Sequence, residues 1–214
     1  MKAKKLFCSL IGMLLLAGAT GCSKDKEDEP VQESLQNDAT IAALKELRTE
    51  RLRGGILDAG GFTLYEDARF KYKIVIETGP NGSASGNRTQ YGIYPYVKEG
   101  ESWQNLWETG KNENAHTGYT VRQKKYDGKY ICGLSSPMIG PFIDIKPGPE
   151  FNETLSYTGL TVDKCFTAGF TTALGNKIFV KFLVKEMEPG SKLTYVTLSY
   201  QSYTPQNPTI HTSY

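Results

Sequence analysis

The sequence predicts a mainly β protein: a β-sandwich, with a β-barrel as the alternative, preceded by one short N-terminal helix. Apolar residues alternate in short runs, turn-forming residues separate those runs, and a single segment has convincing helical periodicity. About eight such runs with frequent turns suit two packed sheets or one closed sheet.

The helical segment spans Ala39 to Arg53. Asn37 or Asp38 caps its start, and Ile41, Leu44, Leu47 and Leu52 form one apolar stripe. Lys45, Arg48, Arg51 and Arg53 load its later turns with positive charge, which suits the negative end of the macrodipole. Gly54-Gly55 stops it.

Strands follow. Phe70–Ile76 alternates, with Phe70, Tyr72, Ile74 and Ile76 on one face. Tyr91–Lys98 puts Tyr91, Ile93 and Val97 on one side, Tyr94 and Tyr96 on the other. The connection Gly79–Asn87 is glycine-rich and contains the turn signal Asn81-Gly82. Further strands are expected over Tyr119–Lys125, Lys129–Leu134, Phe142–Lys146, Leu160–Ala168, Lys177–Lys185 and Lys192–Tyr200. Ile178–Val184 is apolar on nearly both faces, as a central strand should be. Glu188-Pro189-Gly190-Ser191 then turns the chain into Leu193–Leu198, the clearest hairpin.

Ahead of these elements, Lys2, Lys4 and Lys5 precede an apolar run, Leu6–Ala17, broken only by Ser9 and Gly12. A membrane-spanning helix needs roughly 20 apolar residues, so this shorter run reads as a secretory signal. Small residues lead from Ala17 to Gly21 and end at Cys22. The segment resembles the lipobox of bacterial lipoproteins, with Gly21 at −1, Thr20 at −2 and Ala19 at −3; the family prefers Leu at −3, so Ala19 is a departure. The resemblance implies cleavage after Gly21 and lipidation of Cys22; an ordinary secretory cleavage is the alternative. Ser23–Pro30 is charged, mostly acidic and free of apolar residues, so it reads as a solvated tether. It resembles the acidic export signal of Bacteroidota-type surface lipoproteins. That implies a protein lipid-anchored in the outer membrane and exposed on the cell surface; a plain hydrophilic linker is the simpler reading. The organisation is then a signal peptide at 1–21, an acidic tether at 22–37 and one domain at 38–214.

Composition excludes one large class of partner. The chain has 25 basic and 23 acidic residues, a net charge of +2. Losing the three lysines of the signal leaves 22 against 23, or −1. The basic footprint that nucleic acid requires is missing. Lys124-Lys125 and the Arg48, Arg51, Arg53 series read as solvated faces.

The catalytic inventory is thin. Cys132 and Cys165 are the cysteines left in the domain. They are a disulfide candidate or a pair of free buried thiols, and geometry decides between the two. His116 and His211 belong to no metal-binding spacing, so neither metal nor cofactor is expected. Gly82–Gly86 lacks the spacing of a serine elbow. Asp144, Glu150 and Glu153 sit beside Pro147 and Pro149 and read as solvated loop charges.

Aromatic residues are more suggestive. There are 13 tyrosines and two tryptophans. Trp103 and Trp107, four apart, would share one face of a short helical turn, and Tyr94 and Tyr96 share a strand face. Flat exposed rings serve carbohydrate and protein recognition; core packing is the competing role. The expectation is a non-catalytic surface ligand-binding module, with a glycan as the ligand and the membrane as a partner through the Cys22 lipid. An assembly lipoprotein with an envelope protein partner is the alternative, and a carboxylate-dependent hydrolase the third.

Overall fold

The computed structural model describes residues 39–78, 89–115, 117–139, 142, 151–190 and 194–204. The signal peptide, Cys22, the tether, the connection at 79–87 and all of the expected strand at 142–146 except Phe142 lie outside them. Among the described residues the strands are β1 (Arg48–Arg53), β2 (Phe62–Glu66), β3 (Phe70–Glu77), β4 (Gln90–Glu99), β5 (Ser102–Asn105), β6 (Trp107–Lys111), β7 (Tyr119–Gln123), β8 (Cys132–Leu134), β9 (Met138–Ile139), β10 (Ser156–Thr158), β11 (Lys164–Thr171), β12 (Lys177–Pro189) and β13 (Thr194–Tyr203).

The strands form two open sheets and a hairpin. The first sheet runs β1-β13-β12-β11-β8, with β9 also on β11. The second runs β10-β4-β3-β2, with β5 also on β4, and β6 pairs with β7 apart from both. Each keeps free edges, so the molecule is a sandwich and not a barrel. Aromatic rings weld the sheets. Tyr65 and Tyr72 of the second sheet lie 5.0 and 4.8 Å from Phe170 of the first, Tyr91 lies 4.0 Å from Phe166, and Phe62 lies 5.1 Å from Tyr200. Two of the buried tyrosines satisfy their hydroxyls on backbone carbonyls, Tyr72 on that of Thr171 (2.6 Å) and Tyr91 on that of Ser135 (2.8 Å). Burial pushes both phenols well above their ordinary range.

The alternation in β3 holds. Phe70, Tyr72, Ile74 and Ile76 are buried on its inner face, opposite Val97, Pro95, Ile93 and Tyr91 of β4. The β6–β7 hairpin covers the outer face, where Trp107 packs 4.9 Å from both Tyr94 and Tyr96. β12 is central in the first sheet, as its apolar run requires. Lys181 on its far face is nonetheless buried, donating to the Phe142 carbonyl (2.8 Å) with its ammonium over the Phe142 ring.

The helix is shorter than its periodicity predicts. Residues 39–44 are helical, but residues 48–53 are a strand. β1 pairs with β13 from Arg48↔Tyr200 to Arg53↔Tyr195, so tertiary pairing overrides local helix propensity. Of the stripe, Leu44 and Leu52 are buried, whereas Leu47 is 48% exposed. Arg51 makes a bidentate pair with Glu188 (3.1 and 3.0 Å) and lies over the Tyr195 ring. Gly54-Gly55 then carries the chain from one sheet to the other. Gly54 N donates to Thr194 O and Gly55 N to Ile76 O, and a Cβ on Gly54 would meet the Thr78 methyl at 2.6 Å.

Other boundaries move as well. β8 starts at Cys132 and not at Lys129, and β11 begins at Lys164 and not at Leu160. The expected turn at Glu188-Pro189 is still strand, those residues pairing with Tyr195 and Thr194.

Candidate functional site

The aromatic platform expected from sequence does not form. Tyr94 is 0%, Tyr96 8% and Trp107 9% exposed, so these rings are core. Trp103 and Trp107 do not share a helical turn. Trp103 pairs with Lys98 in the second sheet, and Trp107 pairs with Gln123 in the hairpin. Trp103 is half-buried with the Lys71 ammonium 4.4 Å over its ring. The Tyr96 hydroxyl is held by the Asp58 carboxylate.

Cys132 and Cys165 are both buried and are not bridged to each other. Cys132 stands opposite Phe170, five residues along β11 from Cys165 and so about 17 Å away at ~3.3 Å per residue. A disulfide needs Cα atoms within about 7 Å. Burial raises the Cys132 thiol well above its ordinary value and pushes Cys165 up to about 11, which disfavours the nucleophilic thiolate at both. Cys22, His116, His211, Asp144 and Glu150 lie outside the described residues. Glu153 is exposed, and its carbonyl accepts from Gln123 N.

What the fold does build is a cleft of about 640 Å³ at one end of the sandwich. Three connections frame it. Between β7 and β8, Tyr126 and Lys129 exchange backbone hydrogen bonds of 2.9 and 3.0 Å around Asp127 (φ 47°) and Gly128 (φ 73°). Positive φ at both positions is the tight hairpin geometry that Asp-Gly favours. Between β11 and β12, Thr172 and Asn176 close a turn (2.9 Å) that leads into Lys177.

Between β2 and β3 the organiser is Asp67. Its buried carboxylate accepts from Arg69 N (2.9 Å), Phe70 N (2.6 Å) and the Tyr65 hydroxyl (3.0 Å). It also accepts from Ala173 N (2.8 Å), which ties this turn to the β11–β12 turn. Gln123 does the same for the opposite wall. Its amide donates to the Cys132 and Asn152 carbonyls and accepts from Ile131 N and Cys132 N, at 2.8–3.1 Å throughout. That bond to Asn152 holds Phe151 against the cleft.

The lining is cationic and aromatic. Arg69, Lys125, Lys129 and Lys177 face Asp127 as the single described carboxylate. The ion pairs among the described residues lie elsewhere, at Arg51–Glu188, Lys71–Glu66 and Lys73–Asp58. Lys125 sits 5.3 Å from the Tyr130 ring centre and Lys177 5.0 Å from that of Phe151. Phe70 is buried in the floor, with Tyr126 edge-on to it at 5.2 Å. Such a cleft can hold a ligand by ring contacts, hydrogen bonds and charge; its size lies within the usual range for ligand pockets, about 300–1,000 Å³.

These cleft residues were not legible as a site. Lys124-Lys125 read as a solvated face, and the one local signal was Asp127-Gly128 between two Lys-Tyr flanks, a hairpin turn that presents four side chains together. The chain matches no protein-family model, no curated protein and no solved structure.

Proposed function

We propose that this chain is a lipid-anchored protein of the outer-membrane surface whose sandwich binds a glycan in the cleft, without catalysing its turnover. The observation that carries the binding part is the cleft itself, concave, of ligand size, and lined by half-buried rings beside exposed cations. Anchor and compartment are supported by the lipobox-like segment ending at Cys22 and the acidic run behind it. Glycoside hydrolysis needs two carboxyl groups flanking the bond; the described carboxylate in the lining is Asp127, on an exposed turn, and Asp67 behind it is buried with both oxygens taken by hydrogen bonds, which favours a binder. An assembly role would draw on a broad apolar surface. The large exposed apolar residues among the described ones, Leu47, Ile56, Val162 and Leu174, are spread over separate connections.

Two experiments test this. Cys22→Ala should release the protein from the membrane fraction; unchanged retention removes the anchor. A glycan array probed with the detergent-solubilised lipoprotein should give hits that Tyr130→Ala weakens at least tenfold. Hits that survive that change, or no hits, remove the cleft as the site.

A further inference from the structure

We propose that the cleft takes an acidic oligosaccharide, one whose sugars carry repeated carboxylate or sulfate groups; the proposal rests on the cleft being the binding site. Its described walls bring four cations against one carboxylate, in a chain whose charge after loss of the signal is −1. That local excess is not general surface character. The cations also come from three separate connections: Arg69 from β2–β3, Lys125 and Lys129 from β7–β8, and Lys177 from the start of β12. Positive charge is therefore contributed to the lining by separate elements and not by one turn. A lone phosphate or terminal carboxylate is held by donors converging on one point. Charge spread over separate elements is complementary to anionic groups repeated along a chain.

Two further features fit a saccharide. None of the four cations has an ion-pair partner among the described residues, so an incoming anion displaces no ion pair among those residues. Tyr126 and Tyr130 are half-buried between those cations, and a tyrosine ring offers a sugar both an apolar face for its C–H groups and a hydroxyl for its hydroxyls. Arg69, Lys125, Lys129 and Lys177 are all exposed, so the attraction is open to screening by salt.

Isothermal titration of the acylated protein in detergent, with hexameric probes, tests the proposal. Oligogalacturonate and chondroitin sulfate hexasaccharide should bind at least tenfold tighter than maltohexaose and cellohexaose at 50 mM NaCl, and should lose at least tenfold at 500 mM. Reversing Lys125 and Lys129 to Glu should cost at least tenfold for the acidic probes, whereas Lys185→Glu, far along β12, should not. Thermal melting checks that the double variant folds; should it not, Lys177→Glu replaces it. Equal binding of neutral and acidic sugars, unmoved by the reversals, overturns the acidic class while leaving the cleft reading intact. Poly-glutamate binding as tightly as the sugars overturns the saccharide class. If no oligosaccharide of either kind binds, both the class and the cleft reading fall.

Discussion

Glu77 closes β3 with its side chain fully buried and neither carboxylate oxygen hydrogen-bonded to any described residue. It lies opposite Gln90 on the outer face of the second sheet, near Tyr119, whose phenol is pushed up to about 12 by burial first and by the Glu77 charge next. Burial alone pushes the Glu77 carboxyl from 4.5 up to about 8. Between those values the folded chain holds a proton that the unfolded chain has lost, so stability falls as pH rises, by about 1.4 kcal/mol per unit, and levels off above the folded value. Urea midpoints measured from pH 5 to 8 should show this decline, and Glu77→Gln should flatten it; parallel curves would rule the assignment out. Asp67 is the contrasting buried carboxylate, because it accepts four hydrogen bonds. Asp67→Ala strands three backbone N–H groups and a phenol, and should cost at least about 3 kcal/mol in urea unfolding. Asp67→Asn, which keeps an acceptor, should cost less. This residue was readable in principle, since Asp three positions before a strand start is a turn-forming pattern. Glu77 was not, because nothing local distinguishes a buried Glu from an exposed one.

At the scale of elements, strong alternation was legible and weak alternation was not. β3, β4, β12 and β13 could be read because each buries one or both faces along its length. β1, β5 and β6 are mostly exposed, so their sequences carry little periodic signal; in β1 the arginines mimicked the end of a helix while a neighbouring strand decided the outcome. Its charged edge has its own logic, since charge along an open edge discourages pairing with other chains. The two tryptophans show the same limit. Residues four apart share a face in an unbroken helix or an unbroken strand, and here a break at Leu106, whose N–H bonds to the Pro95 carbonyl, sends them into different sheets. Trp107→Ala should therefore act as a core deletion, costing about 3–5 kcal/mol. Trp103→Ala, losing a half-exposed ring beneath Lys71, should cost below about 1 kcal/mol. Neither should change glycan affinity in protein that remains folded, as titration can establish. A selective loss of affinity with Trp103→Ala at unchanged stability would return the site to the platform read from sequence.

At the scale of the whole molecule, the first strand begins part-way along the first sheet and runs away from the cleft. β1 begins at Arg48 beside Tyr200, and Tyr203 at the end of β13 pairs with Phe179 near the start of β12. Lys177, which begins β12, is part of the cleft lining. β1 starts level with Phe182, five residues along β12 from Lys177, and runs away from the cleft end; with a lipid at Cys22, the tether would set the clearance between cleft and membrane. From Cys22 to Ala39 the chain has 17 steps, which limits its reach to about 58 Å. A short oligosaccharide can enter such a gap, but a polymer needs the domain to lift away from the surface. Deleting residues 30–36 keeps the acidic run of Asp25 to Glu29 and shortens the tether. Cells displaying this variant, matched for surface exposure by external labelling, should capture polygalacturonate at least threefold less well than wild type. Doubling the segment should restore or raise capture. The affinity of the detergent-solubilised variants for the hexamer should be the same at all three lengths. Polymer capture that ignores tether length would place the cleft away from the membrane, with the lipid acting as an address alone.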